Sequence, residues 1–175
     1  METQKASVKK IALNYGLLLA LLSIVLSVLA YVTDNYIDRP WWLVLSMLVM
    51  IAIIVYGLKA FKNDNEGFLS VGEAIKVGLA ISLISGIIVA IYNYLFMTMI
   101  EPEYVTQLLE FTEEKMISDN PEMTESQLNM AMDMTEKFMS PMMMTSFVII
   151  GSLFFGFIIS LISGFILKQK RPEHL

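Results

Sequence analysis

Hydrophobic residues along this chain fall into four long blocks, at 11–32, about 41–58, 71–100 and 141–167. Short polar stretches divide the first three, and a longer acidic stretch precedes the last. A helix of about 20 apolar residues crosses the roughly 30 Å hydrocarbon core of a bilayer, so each block reads as a membrane span. The stretch 33–39 (TDNYIDR) is a short turn, and Pro40 suits the first position of a helix because its missing N–H has no intrahelical partner there. Ser140-Pro141 opens the last span in the same way. The stretch 59–67 (KAFKNDNEG) is polar and ends in glycine, which predicts a loop. Ser70 and Glu73 then form the S-x-x-E capping box, in which each side chain satisfies a backbone donor at the helix start. The third span, taken as about 30 residues of helix, measures roughly 45 Å, so it must tilt or project.

The acidic stretch is helical in pattern. Tyr104, Leu108 and Phe111 recur at helical spacing, Ser118-Asp119-Asn120-Pro121 breaks the run, and Thr124 with Gln127 makes a second capping box. Leu128, Ala131, Thr135 and Met139 follow on one face, Met130, Met134 and Phe138 on the next. The expectation is an all-α integral membrane protein with four transmembrane helices and an extramembrane amphipathic helical hairpin, about 102–140, between spans 3 and 4. One membrane domain over 1–175 is expected, because no linker separates regions that could each bury a core.

Small residues mark where spans meet. Gly78, Ser82, Gly86 and Ala90 recur every fourth residue on span 3, and Ser152, Gly156, Ser160 and Gly164 do so on span 4. Running antiparallel, the two strips predict a close pair with Gly78 near Gly164 and Ala90 near Ser152. Ala12, Gly16 and Ala20 form a shorter strip on span 1.

Within 68–104, the FLSVGEAIKVG entry, the IYNYLF end of the span and the following IEPEY carry a resemblance. The stretch resembles a family of small four-span bacterial membrane proteins known as a domain of unknown function (DUF4199). The resemblance implies four membrane helices, a bacterial source and an extramembrane insertion before the last span, and it supplies no catalytic residue.

Charge sets the expected orientation. Lys5, Lys9 and Lys10 precede span 1, Lys59, Lys62 and Lys76 flank the loop between spans 2 and 3, and Lys168, Lys170 and Arg171 follow span 4. By the positive-inside rule both termini are cytoplasmic and the insertion lies outside, in the bacterial inner membrane. A secretory signal ending near Val28-Leu29-Ala30 is the rival reading of span 1, but its apolar run exceeds the roughly 7 to 15 residues of such signals. Trp41 and Trp42, with Tyr31 and Tyr36 across the turn, read as an aromatic belt.

Candidate chemistry is sparse. The chain has no cysteine, which removes thiolate metal sites and cysteine nucleophiles, and no basic face suited to nucleic acid. It has no phosphate-binding glycine loop, nucleophile elbow or H-E-x-x-H, and no ionisable residue at the centre of any span, so neither an enzyme nor an ion-coupled pump is expected. Glu73 reads as a cap before it reads as a catalytic carboxylate. Asn93 is the most polar intramembrane candidate, for an interhelical hydrogen bond or, less simply, a pore contact. Met130, Met132 and Met134, with Met142, Met143 and Met144, could offer thioethers to Cu(I), but residues two apart on a helix point to different faces, so only Met130 and Met134 would converge. Glu110, Glu113 and Glu114 read as a solvated face, and His174 as part of a tail. No cofactor or metal is expected. The partners expected are the lipid bilayer and a protein meeting the acidic hairpin. The functional expectation is a membrane scaffold or interaction subunit. The alternative is a small transporter or channel subunit, whose serine strip would line a path only in a homo-oligomer.

Overall fold

The computed structural model describes residues 6–33, 37 and 40–170, and among them it is helical with no strand. The helices are α1 (Val8–Val32), α2 (Pro40–Asp64), α3 (Val71–Leu95), α4 (Tyr104–Asp119), α5 (Glu125–Phe138) and α6 (Pro141–Leu167). A π-helical turn, Phe96–Ile100, prolongs α3. Four of these stretches are long and apolar enough to cross a membrane: Val8–Val32, Trp41–Asp64, Val71–Ile100 and Pro141–Leu167.

Local chemistry sets most of the ends. Ser7 caps α1, its hydroxyl accepting the Lys10 N–H at 3.3 Å, and the Thr33 hydroxyl closes the helix by donating to the Leu29 carbonyl at 2.6 Å. At α5 the Thr124 hydroxyl accepts the Gln127 N–H at 3.4 Å while the Gln127 side chain accepts the Thr124 N–H at 3.0 Å. The π turn has a cause in Pro102. Proline disfavours helical geometry in the residue before it, and Glu101 sits at φ −132°, ψ 75°, its N–H reaching back five residues to the Phe96 carbonyl at 2.8 Å.

One boundary differs from expectation. Residues 59–64 are not loop but the last turns of α2. Polarity alone does not break a helix, and here Phe61 is buried in the core. The stop comes at Glu66 (φ 58°) and Gly67 (φ 85°), where two successive left-handed residues turn the chain and the Gly67 N–H bonds the Lys62 carbonyl at 2.8 Å.

The chain divides into two compact units. The first, Met1–Val89 with Ile149–Leu175, contains the buried core, built on Ile11 and Leu19 of α1, Ile54 and Leu58 of α2, Val77 and Ile81 of α3, and Ile159 of α6. The second, Ala90–Val148, holds α4 and α5, which touch each other and have no buried residue. Aromatic contacts tie its ends: Phe96 meets Tyr104 edge-on at 5.6 Å, and Phe138 lies 6.3 Å from Phe147.

Candidate functional site: the seam between α3 and α6

Four small-residue pairs bring α3 and α6 together in the first unit. A Cβ built on Gly78 would overlap the Ser160 hydroxyl and lie 2.7 Å from its Cβ, and one on Gly156 would overlap the Ser82 hydroxyl and lie 2.6 Å from its Cβ. A Cβ on Gly86 would lie 3.0 Å from Ser152, and one on Gly164 would lie 2.8 Å from Ala74. The register therefore differs from the expected one. Gly78 meets Ser160 in place of Gly164, because each glycine notch takes a serine or alanine from the facing helix. The expected alignment would set Gly78 against Gly164 and Ser82 against Ser160, leaving gaps at one level and crowding at the next.

Hydrogen bonds follow from this register. The Ser152 hydroxyl crosses the seam to donate to the Ser82 carbonyl at 2.8 Å, whereas the Ser160 hydroxyl donates within its own helix to the Gly156 carbonyl at 2.5 Å. The Ser82 hydroxyl is fully buried with no hydrogen-bond partner among the described residues. Ser85, Ser160 and Ser163 are buried as well, so these polar groups sit in packed helix contacts. Two further glycines admit neighbours: a Cβ on Gly16 of α1 would lie 2.9 Å from Ile84, and one on Gly57 of α2 would lie 2.5 Å from Ile81.

A second feature closes one end of this unit. Leu69 and Gln169 exchange both backbone hydrogen bonds, at 3.0 and 2.9 Å, and Leu69 is fully buried. The Lys62 ammonium donates to the Leu167 carbonyl at 3.1 Å, meeting one of the open carbonyls at the end of α6. Sequence reasoning missed this clasp. Its one local signal is the apolar Leu69 immediately before the Ser70 cap, the position of a hydrophobic staple.

Glu73 is engaged by that cap. One carboxylate oxygen accepts the Ser70 N–H at 2.8 Å and the Ser70 hydroxyl at 2.7 Å, the Ser70 hydroxyl accepts the Glu73 N–H at 3.2 Å, and the other carboxylate oxygen faces the Asn65 amide at 3.5 Å. Replacing Ser70 by alanine should cost about 1 kcal/mol of stability, measured by thermal denaturation in detergent. A loss no larger than that of an exposed Ser46→Ala control would remove the cap from the account.

The other candidates are not drawn together. Ala90 is buried in the second unit, and Asn93 is half-buried there, its side chain forming no hydrogen bond among the described residues. Asn14 is exposed on α1. Met130 and Met134 are exposed, as are Glu110, Glu113 and Glu114, and among the described residues no three histidine or carboxylate side chains are placed to hold a metal ion. Trp41 and Trp42 stack at 4.3 Å, while Tyr36, Arg171 and His174 lie outside the described residues.

With the four apolar helices and their seam in place, the family model described as protein of unknown function (DUF4199) matches residues 14–169. The chain belongs to this family. No curated protein and no solved structure matches it. In this DUF4199 chain the matched stretch holds both strips of the seam and ends on Gln169, the residue that bridges Leu69. It is a membrane protein of the family, with four apolar helices suited to contact lipid.

Proposed function

We infer that this DUF4199 protein is a non-enzymatic interaction or scaffold subunit of the bacterial inner membrane. Both termini are cytoplasmic, and α4 and α5 form an acidic helical hairpin on the outer side that meets a protein partner. The observation that carries the reading is the state of those helices. Neither has a buried residue, and Ile117, Met130, Met134 and Phe138 are all exposed on them. The segment 102–140 also holds nine of the chain's 17 acidic residues against two lysines, Lys115 and Lys137, a single-sign field that steers a basic partner. Apolar anchors at helical spacing give such a partner its contact area.

A transporter or channel subunit, assembled from several copies, is the alternative. It draws on the buried serines of α3 and α6 and above all on the unpartnered Ser82 hydroxyl. Ser82 and Ser160 fill glycine notches at helix contacts, which favours packing over a path for solute. Crosslinking and co-purification from native membranes test the choice, comparing the full-length protein with a variant whose residues 103–139 are replaced by a flexible linker. Loss of a partner from a variant that still inserts is the expected result. Retention of every partner removes the hairpin as the interaction site, and ion conduction by the purified protein in vesicles replaces the scaffold with a channel.

Orientation has its own test. Reporter fusions after Asn35 and Asn120 should read as exterior, and those after Asp64 and Leu175 as cytoplasmic. A cytoplasmic signal at Asn120 would invert the arrangement.

A further inference from the structure

The ends of α2 and α6 and the start of α3 come together in the first unit, because Lys62 reaches the Leu167 carbonyl and Leu69 bridges Gln169. This end is basic. Lys59 and Lys62 lie in the last turns of α2, Lys76 in α3, and Lys168 and Lys170 after α6, set against Asp64, Glu66 and Glu73. Glu73 is occupied by its helix cap and Lys62 by the Leu167 carbonyl.

Lys59 and Lys168 are disposed differently from Lys62. The Lys59 ammonium lies 5.9 Å from the centre of the Tyr56 ring, and the Lys168 ammonium 5.6 Å from that of Phe165. Both rings belong to the outer surface of spans, 60% and 56% exposed respectively. Lys59 directly follows the apolar block that ends at Leu58, and Lys168 directly follows α6, so both stand at the border between hydrocarbon and headgroups. An ammonium lying over a lipid-facing ring is held at the rim of the helices, where a phosphate passes. The ring offers apolar surface beside it for an acyl chain.

The geometry points to anionic phospholipid binding at the joined ends of α2 and α6, with the Lys59 and Lys168 ammoniums meeting lipid phosphate and the Tyr56 and Phe165 rings lying along the acyl chains. The charges are complementary, and the apolar rings next to both cations select a lipid over a soluble anion. The site requires only that the four helices span a bilayer. It is independent of what α4 and α5 meet.

Delipidated full-length protein in detergent provides the test, titrated with phosphatidylglycerol, phosphatidylcholine or inorganic phosphate and followed by thermal unfolding and native mass spectrometry. Phosphatidylglycerol should bind more tightly than phosphatidylcholine and raise Tm. Lys59→Gln and Lys168→Gln should each weaken it about five-fold, leaving the response to phosphatidylcholine unchanged. The double arginine variant should retain the preference, and so should Lys115→Gln with Lys137→Gln on α4 and α5. Equal binding of the two lipids by the natural protein overturns the proposal, as does a preference that survives in the double glutamine variant. An equal Tm rise with inorganic phosphate replaces the lipid site with a soluble-anion site.

Discussion

Gly78→Ala and Gly156→Ala should each lower the thermal stability of the detergent-purified protein sharply, whereas Gly72→Ala and Gly151→Ala should leave it unchanged or slightly raised. All four are glycines inside helices, so the intrinsic gain from alanine, about 1 kcal/mol, is common to them. What differs is the space a methyl group would enter. At Gly72 and Gly151 nothing lies within 4 Å of the added carbon, but at Gly78 and Gly156 it would overlap a serine hydroxyl of the facing helix. Neither serine has room to yield, since Ser160 and Ser82 are both fully buried. The helices must separate, which loses the dispersion contacts that hold spans together in lipid and costs about 1–3 kcal/mol as in other overpacked cores. Combining Gly78→Ala with Ser160→Gly moves the side chain to the other helix, an arrangement like the existing Ala74–Gly164 pair, and should recover much of the loss. Equal melting temperatures for all four single variants would show that the seam is not a close contact.

The contrast between Gly78 and Gly151 also marks how far the chain can be read without coordinates. Four spans are legible because the demand for about 20 apolar residues is coarse. The strips on α3 and α6 are legible for a similar reason, since close approach requires small side chains at one face. Their register is not, because a repeat of four residues looks the same after a slip of one turn, and only the volumes at each level distinguish the alternatives. Gly151 lies off the repeat and meets nothing, although by composition it equals Gly156. The end of α2 is misread for another reason. Lys59, Lys62 and Asp64 signal the edge of the hydrocarbon, and an edge of hydrocarbon is not an edge of helix. The clasp is the least legible element, because a backbone pairing between Leu69 and Gln169 leaves no mark on side-chain identity beyond the apolar Leu69 just before the Ser70 cap.

That residue makes the second large effect predictable. Leu69→Ala should destabilise the protein by about 2–5 kcal/mol, the range for a buried leucine truncated in a packed core. Leu48→Ala, on a side chain 57% exposed in α2, should change little. Leu69 is fully buried although it lies between helices, so its side chain is part of the core that joins α1, α2 and α3. Its backbone is tied as well, and Gln169→Pro tests that half of the clasp separately. Proline removes the N–H that donates to the Leu69 carbonyl at 2.9 Å, at a cost of about 1–3 kcal/mol if the buried acceptor stays unsatisfied. Gln169→Ala keeps the backbone donor and, on an exposed side chain, should be nearly silent. Melting curves of the three variants in one detergent decide the matter. The expected order of loss is Leu69→Ala, then Gln169→Pro, then Gln169→Ala. If Gln169→Pro melts with Gln169→Ala, the hydrogen bond from the Gln169 N–H adds nothing to stability, and the burial of Leu69 and the contact of Lys62 with the Leu167 carbonyl hold this end of the unit without it.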